Sequence, residues 1–562
     1  MGRPTKKKSK SGGAGAISRR EFLRRAGAGS ALVAAQPFLA APAGAADVSV
    51  PPPGTASGIF VHGVASGDPL SDRVILWTRV TLGITRGAAS ATYVVATDPT
   101  LQQVVRTGSV GTDEKKDYTV KVDVTGLVPA TTYFYQFTCN GAKSPIGRTR
   151  TLPVGSVDRL RIAVVSCASL AHGFFNVYRQ ISFRADLDLV VHLGDYIYEF
   201  GDGEYGNLRP YEPPSEIVTL NEYRTRHNQY KTDRDLIEMH RQHPIVAIWD
   251  DHEIADNAWK AGAENHNPEM GEGAYSDRVK AAVRAYYEWM PIRQVSSDQK
   301  RIYRSFRIGD LVELFMLEER LTARDEPGEP NLIDGTTLFT QDGEFDDASR
   351  NIIARSQQDW LISGLRKSTA QWKLIGQGVM LAPARSAKTP DGDDVYFNPD
   401  QWDGYKPARE RLLSAIAGPL MTDPVENAVV LTGDIHSSWV ADVCADPYGS
   451  DYDPGTGEGS IAVEFVGTSV TSPGQSDPDG RVSQGLRLLN PHIKYVELTR
   501  RGYMLLDITT ARTSAEYWYT NTIATRDTGQ AFGVAFQTVD GSKRITPGAR
   551  TAMKPNPPPR AP

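Results

Sequence analysis

Side chains that bind metals or transfer protons follow four apolar segments of the sequence, at the point where each segment ends. These groups are Ser166-Cys167 after residues 160–165, Gly194-Asp195-Tyr196-Ile197-Tyr198-Glu199 after residues 187–193, Asp250-Asp251-His252-Glu253 after residues 244–249, and Thr432-Gly433-Asp434-Ile435-His436 after residues 428–431. Neighbouring carboxylates repel one another and stay protonated, whereas a multivalent cation stabilises all of them in the ionised form. If the four groups meet in the fold, they predict a shared metal site.

Each group alone has a simpler interpretation. Gly-Asp after a strand is often only a turn, the Asp-Asp-His-Glu box could cap a helix, and Cys167 or Tyr198 could be an ordinary core residue. The combination of all four at strand ends is far more specific than any one of them. The glycines that precede Asp195 and Asp434 favour tight turns and a close backbone approach, as a crowded site requires.

The same apolar segments predict an α/β domain over residues 158–530. Continuous apolar runs are typical of strands covered on both faces, and two further runs lie at residues 311–317 and 372–376. Helical patterns at residues 277–290 and 357–365 lie between them. We expect two packed central sheets flanked by helices, with the site in the crevice at the carboxyl ends of the strands.

Residues 58–153 show a different pattern, in which apolar and polar residues alternate in short runs separated by Gly, Pro and Asp. The clearest runs are residues 74–77, 92–95 and 121–124. Short strands at this spacing predict a small β-sandwich of the fibronectin or immunoglobulin type. Residues 126–135 resemble a fibronectin-type corner, in which a Tyr hydroxyl bonds to nearby backbone.

The two ends of the chain are predicted to lie outside these domains. Residues 1–45 combine basic residues, the motif Ser18-Arg19-Arg20-Glu21-Phe22-Leu23, an Ala/Gly-rich apolar stretch and small residues, which together indicate a twin-arginine signal peptide. A disordered basic tail is the alternative. Residues 46–57 form a Pro-rich linker, and the Gly/Pro-rich tail at residues 531–562 is expected to have little order.

The charge and hydropathy of the chain argue against nucleic acid as a partner and against a membrane span. Residues 1–45 hold nine Lys and Arg and one Glu, so their removal changes the formal charge from −5 to −13. Such an acidic chain does not suit nucleic acid, whose phosphates need basic surfaces. No apolar run approaches the roughly 20 residues that span a bilayer, so no membrane span is expected in the mature chain.

The cysteine count leaves one question open. The chain has three cysteines, Cys139, Cys167 and Cys444, and an exported protein with an odd number leaves at least one thiol unpaired. A disulfide between Cys139 and Cys444 is possible, but the sequence does not decide it.

The order of the four groups resembles that of the calcineurin-like metallophosphoesterases, and longer stretches resemble the PhoD-type alkaline phosphatases (alkaline phosphatase D). The resemblance runs from about residue 58 to residue 520. The stretches that carry it are Phe60-Val61-His62-Gly63-Val64-Ala65-Ser66-Gly67-Asp68-Pro69, Trp77-Thr78-Arg79, His192–Glu199, Trp249–Glu253 with Asp256-Asn257, Trp402-Asp403-Gly404-Tyr405, Gly433–Ser438 and Asn490-Pro491-His492-Ile493-Lys494-Tyr495.

This resemblance implies an iron–calcium centre. Its iron-side ligands would be Cys167, Asp195, Tyr198, Asp434 and His436, and its calcium-side candidates would be Asp195, Asp251, Asn257 and Asp434, with Asp195 bridging. The residue types agree, because thiolate and phenolate suit ferric iron whereas carboxylate and amide oxygens suit calcium. His252 stands where related metallophosphoesterases keep a proton-donating histidine.

Two positions depart from the family's pattern. Leu317-Glu318-Glu319-Arg320 replaces the usual Leu-Asp-Thr-Arg, and Arg501-Gly502-Tyr503 stands where His-Gly-Tyr is common. The first departure could alter a helper carboxylate and the position of Arg320. We take His252 and Arg320 as the candidate catalytic residues.

Together these features predict a secreted phosphoesterase, exported by the twin-arginine machinery to the periplasm or the extracellular space. It would hydrolyse small-molecule or lipid phosphate mono- and diesters by attack of a metal-bound hydroxide, for phosphate acquisition. The alternatives are a phospholipase D-like phosphodiesterase acting on lipids or cell-wall polymers and, from another class, a non-catalytic surface-binding protein. A serine hydrolase is disfavoured, because no Gly-x-Ser-x-Gly elbow precedes a helix.

Overall fold

The structure is a computed structural model that describes residues 58–83, 87–328, 338–389, 391–418 and 423–562. The predicted signal peptide at residues 1–45 and the whole linker at residues 46–57 therefore lie outside the described residues. Within the described ranges, no helix is long and apolar enough to cross a membrane.

The N-terminal unit consists of strands that form two sheets, as the alternating pattern predicts. They are β1 (Val64–Gly67), β2 (Arg73–Arg79), β3 (Ala89–Ala96), β4 (Val104–Thr112), β5 (Thr119–Thr125), β6 (Thr132–Cys139), β7 (Ala142–Lys143) and β8 (Gly147–Arg150). One sheet has the order β4-β3-β6-β7, with β8 also paired to β6, and the other has the order β1-β2-β5. The predicted corner is present, because the Tyr133 hydroxyl accepts a hydrogen bond of 2.8 Å from Val128 N.

The α/β domain follows with strands and helices that match the predicted apolar runs to within a few residues. Its elements are β9 (Arg159–Val165), α1 (Asn176–Ser182), β10 (Leu189–His192), α2 (Leu220–Tyr230), α3 (Arg234–Gln242), β11 (Pro244–Ala247), α4 (Tyr275–Trp289), β12 (Arg304–Ile308), β13 (Val312–Met316), β14 (Phe339–Thr340), α5 (Arg355–Lys367), β15 (Trp372–Gln377), β16 (Arg385–Lys388), β17 (Asp394–Tyr396), α6 (Lys406–Ala417), β18 (Ala428–Thr432), β19 (Ser438–Cys444), β20 (Ser460–Val466), α7 (Arg481–Leu489), β21 (Ile493–Glu497), β22 (Gly502–Thr509), β23 (Arg512–Thr520), β24 (Gln530–Val539) and β25 (Thr546–Pro547).

Two large sheets form the centre of this domain, as the fold class predicts. The larger sheet has the order β25-β24-β23-β22-β9-β10-β11-β1-β2-β5, and the second has the order β12-β13-β15-β18-β20-β19-β21. Strands β9, β10 and β11 are mutually parallel, as are β13, β15, β18 and β20. Buried side chains of both sheets, such as Ile162 and Leu374, belong to one hydrophobic core.

The sheet order contains a feature that the sequence analysis did not predict. Strand β1 of the N-terminal unit pairs in parallel with β11, through the registers Ser66 to Pro244 and Gly67 to Ile245. One sheet of the β-sandwich is therefore continuous with the central sheet of the α/β domain. The Asp68 carboxylate reinforces the junction with a 2.7 Å ion pair to Arg304, in which both side chains are buried.

The expectation of little order in residues 531–562 is wrong, and so is the boundary of the domain at residue 530. Strand β24 runs across that boundary and pairs with β23 over its whole length. Beyond it, Thr551 N donates to Glu516 at 2.7 Å, and Ala561 N donates to Gln242 at 3.0 Å. A high Gly and Pro content usually indicates disorder. Here the segment is ordered because side chains of the folded domain form hydrogen bonds with its backbone.

The cysteine question is also answered. Cys139, Cys167 and Cys444 are buried free thiols, so the possible Cys139–Cys444 disulfide is absent from the structure. Cys139 lies at the end of β6 in the N-terminal unit, whereas Cys444 lies at the end of β19 in the second sheet.

Candidate metal centre

The four predicted groups meet in one place, at the carboxyl ends of β9, β10, β11 and β18. Three sets of potential ligand atoms each lie within 4.8 Å of one another: Cys167 with Asp195 and His436, Asp195 with Asp251 and His252, and Asp250 with Asp251 and Asp434. All of these residues are buried. Because Asp195 and Asp251 are shared between sets, the sets form one continuous cluster.

One side of the cluster holds the soft and aromatic ligands. The Tyr198 hydroxyl lies 3.0 Å from Asp195 Oδ2 and 3.3 Å from His436 Nε2. Ser472 Oγ lies 2.6 Å from the same hydroxyl, and His436 Nδ1 lies 3.1 Å from the carbonyl of Pro473. The loop of residues 472–473 therefore orients two predicted ligands, a role that no sequence motif indicated.

The backbone at the predicted ligands adopts a conformation that is uncommon for residues other than glycine. Cys167, Asp195, Asn257, Asp434 and His436 all have a positive φ, between 50° and 59°. Such residues cluster at functional sites, because the surrounding structure must compensate their strain. Five of the seven predicted metal ligands therefore lie on strained turns that aim their side chains into the crevice.

Gly194 and Gly433, which precede Asp195 and Asp434, are required because other strand ends lie too close for a side chain. A Cβ on Gly194, whose φ is 109°, would lie 2.4 Å from the Cβ of Asp250. A Cβ on Gly433 would lie 2.9 Å from the Cβ of Ser166. Both contacts are shorter than side chains tolerate, so glycine lets the strand ends come together.

The other side of the cluster is rich in carboxylates and contains Arg320. This fully buried guanidinium bonds to Asp250 through Nε, and Nη1 lies 2.9 Å from Asp400. Its Nη2 lies 3.5 Å from one oxygen of Asp251 and 3.5 Å from one of Asp434. Arg320 thus compensates the carboxylates from within the cluster.

Asp250 is a candidate ligand that was not predicted from the sequence. It belongs to the same Asp-Asp-His-Glu box as Asp251, and only Asp251 was selected. The structure brings both carboxylates into one ligand set with Asp434. Alternation along an extended segment would have sent the two side chains to opposite faces, whereas the chain turns here, directly after β11.

Asn257 joins the carboxylate side through a short loop. Its backbone N–H donates to Asp251 Oδ2 at 2.7 Å, and its Nδ2 donates to Glu264 at 2.5 Å. These two bonds fix the amide so that Oδ1 is the remaining acceptor. That oxygen is buried and accepts no hydrogen bond from any of the described residues.

The donor set fits bound cations. Like Asn257 Oδ1, the oxygens Asp195 Oδ1 and Asp250 Oδ2 are buried and accept no hydrogen bond from any residue in the described ranges. Burial raises the pKa of Asp250 to about 7, and the carboxylates of Asp251 and Asp434 add to the shift. Burial also raises the pKa of Cys167 and that of Tyr198 well above their ordinary values, with Asp195 contributing to both. A multivalent cation reverses these shifts by stabilising the anionic forms.

Comparison with known proteins gives this site its context. A family model described as PhoD-like phosphatase matches residues 162–517, and another, described as its N-terminal domain, matches residues 46–153. Alkaline phosphatase D of Bacillus subtilis (strain 168) is 34% identical over 520 residues, which cover 89% of this chain and 84% of that protein. The chain belongs to the PhoD-like phosphatase family. A solved structure of PhoD, with a TM-score of 0.79 and 32% identity, covers 90% of this chain and 94% of its own.

Membership in the PhoD-like family confirms the predicted class of enzyme and the predicted fold. The chain is a phosphoric ester hydrolase. The assignment of individual ligands to iron or calcium stays a prediction.

His252, the predicted proton donor, is held by contacts beside the ligand cluster of this PhoD-like site. Its Nδ1 lies 2.8 Å from Glu199 Oε2, its Nε2 lies 4.0 Å from Asp251 Oδ2, and its ring stacks on Tyr198 at 4.2 Å between centroids. Burial opposes the charged ring, but the carboxylates of Asp251, Glu199 and Asp195 raise the pKa of His252 well above its usual range. The ring is therefore held in one orientation, and these carboxylates favour its charged form.

Glu253 ties two strand ends of the PhoD-like site together. Its carboxylate accepts backbone hydrogen bonds from Asp195 at 3.1 Å, from Tyr196 at 2.6 Å and from Asp250 at 2.8 Å. Three backbone hydrogen bonds from two separate turns fix the spacing between Asp195 and Asp250. The sequence analysis quoted Glu253 in a motif but gave it no role.

The departure from the family at Glu318 and Glu319 leaves Arg320 in place. Glu318 accepts backbone hydrogen bonds from Arg320 at 2.9 Å and from Leu321 at 2.6 Å, so it folds the turn that carries the guanidinium. Glu319 accepts bonds from Gly378 N at 2.8 Å and Trp402 Nε1 at 3.1 Å. Both carboxylates are therefore engaged in supporting neighbouring loops.

Proposed function

We propose that this chain is an exported phosphoesterase that hydrolyses phosphate mono- and diesters with iron and calcium bound in the cluster. The observation that carries the proposal is the sharing of Asp195 and Asp251 between adjacent ligand sets. Shared carboxylates suit two cations held close together, as in enzymes that displace an alcohol from phosphorus. The mixed donors support iron beside Cys167, Tyr198 and His436, and calcium beside the carboxylates and Asn257.

Cations in such a site lower the pKa of a bound water and neutralise charge on the phosphoryl oxygens. The chain's own residues complete the reaction. His252 donates a proton to the leaving oxygen, because Glu199 holds its Nδ1 and directs Nε2 towards the cluster. Glu253 keeps the turns of Asp195 and Asp250 at a fixed spacing, so the ester is bound in one orientation.

Arg320 acts as a positioning residue in this proposal. Its guanidinium is wholly buried and contacts the carboxylates of Asp250 and Asp400 rather than open space. It therefore holds the acidic side of the site together before and after a cation binds.

Export and phosphate acquisition are part of the same proposal. They are supported by the twin-arginine motif at Arg19 and Arg20 and by the likeness to a protein named alkaline phosphatase D. Export of a folded chain suits an enzyme whose metals are inserted before it leaves the cytoplasm.

The test replaces the shared ligand. We expect Asp195→Ala to lower the turnover of a chromogenic phosphate ester by at least about a thousandfold, because the loss affects both cation positions. The exposed Asp277 offers a matched control, and Asp277→Ala should hydrolyse the ester at the wild-type rate. Turnover like that of the wild type in Asp195→Ala would refute the site. Elemental analysis identifies the metals, and parallel assays on monoesters and diesters establish the preference between them.

A further inference from the structure

A half-buried group of residues lies over the proton donor and the aromatic ligand. We call it the rim, and it consists of His172, Tyr205, Gly474 and Arg501. The side chains of His172, Tyr205 and Arg501 are half-buried, whereas Tyr198 and His252 beneath them are buried. The rim therefore lies between the solvent and the reacting centre.

Stacked rings connect the rim to the reacting centre. Tyr205 stacks on Tyr198 with 5.4 Å between ring centroids and on His252 with 6.1 Å. His172 meets the edge of Tyr205 at 4.6 Å. Tyr205 is thus in contact with the residue that protonates the leaving oxygen.

Arg501 is placed beside this stack by the loop that also orients the ligands. A Cβ on Gly474 would lie 2.2 Å from the carbonyl oxygen of Leu498 and 2.7 Å from Nη1 of Arg501, so the backbone requires glycine here and the guanidinium lies against it. The two preceding residues, Ser472 and Pro473, contact Tyr198 and His436. The Arg501 guanidinium therefore lies against the loop that orients two predicted ligands.

Within the described part of the chain, Arg501 forms no ion pair, although Tyr205 and Glu497 partly offset its charge. Its Nη1 donates to the carbonyl of Thr499 at 2.5 Å, and its Nε is buried without an acceptor among the described residues. The nearby Glu497 carboxylate instead bonds to Arg500 at 3.1 Å and to Thr499 N at 2.8 Å. Burial lowers the pKa of Arg501 to about 10, so the guanidinium stays charged at neutral pH.

We propose that Arg501 binds a second anionic group, a phosphate or a carboxylate, on the leaving alcohol of the substrate. The inference rests on the proposed function and makes Arg501 a specificity-determining residue of the same site. The alcohol leaves from the side of His252, because that residue protonates its oxygen. From there it passes the ring of Tyr205, with which the charge of Arg501 interacts. A guanidinium that lacks a carboxylate partner gains most from an anionic ligand.

The test compares two esters that differ in one charge, 4-carboxyphenyl phosphate and its neutral isostere 4-carbamoylphenyl phosphate. We expect the wild-type enzyme to show a KM about tenfold lower for the carboxylate, the value of one charge-assisted hydrogen bond. Arg501→Gln should abolish that difference in KM, Arg501→Glu should reverse it, and Arg501→Lys should restore part of it.

The neighbouring Arg500 provides the matched control, because it is exposed and already paired with Glu497. Arg500→Gln should keep the tenfold difference. A second measurement needs no variant: 4-hydroxybenzoate should inhibit the wild-type enzyme about tenfold more strongly than 4-hydroxybenzamide. Equal KM values in the wild type, or a difference that survives in Arg501→Gln, would overturn the inference. Failure of the wild type to hydrolyse either ester would instead overturn the proposed function.

Discussion

The two sides of the metal centre compensate negative charge by different means. On the side of Cys167 and Tyr198, the Ser472 hydroxyl and the Pro473 carbonyl orient ligands without neutralising them, and the cationic neighbour is the titratable ring of His252. On the side of Asp250 and Asp434, the guanidinium of Arg320 supplies a permanent positive charge.

This difference predicts that the two sides of the centre depend on bound metal to different degrees. Without a cation, the thiol and the phenol are protonated, because burial raises the pKa of both groups. The carboxylate side already has part of its charge balanced by Arg320, so it can release and rebind its cation with less disturbance. We therefore expect the first side to hold a tightly bound transition metal and the second side to hold an exchangeable calcium ion.

The largest effect should follow from removing the thiolate. We expect Cys167→Ser to lower turnover by at least about a thousandfold and to lose iron, because a hydroxyl is a poor replacement for a soft anionic ligand. Calcium should remain, and elemental analysis measures both metals. Cys444→Ser, at another buried free thiol, is the matched control and should keep its iron. Loss of both metals from Cys167→Ser would break the distinction between the sides.

An intermediate effect should follow from removing the internal cation. Arg320→Gln leaves buried carboxylates uncompensated and should lower the free energy of unfolding by about 3–5 kcal/mol. Added calcium should restore much of the melting temperature, because it binds only the folded site. Arg304→Gln breaks the buried pair with Asp68 and should be destabilising, with a calcium response no larger than that of the wild type. The same calcium response in both variants, followed by thermal unfolding, would contradict the proposed role of Arg320.

The smallest effect should come from a residue that only orients a ligand. Ser472 Oγ lies 2.6 Å from the Tyr198 hydroxyl and 2.9 Å from the carbonyl of Cys167. Ser472→Ala should cost about 1 kcal/mol, or less than tenfold in kcat/KM, with the iron content unchanged. Ser450→Ala, at an exposed position, should match the wild type. A loss as large as that of Cys167→Ser would show that the hydroxyl is itself a ligand.

Sequence periodicity predicted much of the fold because the strands that carry the site are buried on both faces. Continuous apolar runs located β9, β11, β13 and β15 closely. The same signal cannot show which strands pair across long separations. It therefore missed β1 beside β11, and it missed β22 to β24 extending the sheet from β9.

The candidate site was predictable where residue types that commonly bind metals occur in recognisable motifs. Cys167, Asp195, Asp251 and Asp434 follow apolar strands in motifs, and the structure brings them together. Residues such as Ser472 and Arg501 lie in loops without a motif, and their roles depend on tertiary placement. Asp250 was missed because the motif carried over from the family selected only Asp251 of the two adjacent aspartates.

The pairing of β1 with β11 has a consequence for any attempt to isolate the α/β domain. Strand β11 leads directly into the turn of Asp250 and Asp251, and its outer edge is covered only by β1 within the described part of the chain. A fragment cut near residue 155 would expose that edge as a template for association with other copies. We therefore expect the isolated α/β domain to aggregate through strand β11, next to the acidic ligands. The smallest soluble fragment should include the β-sandwich.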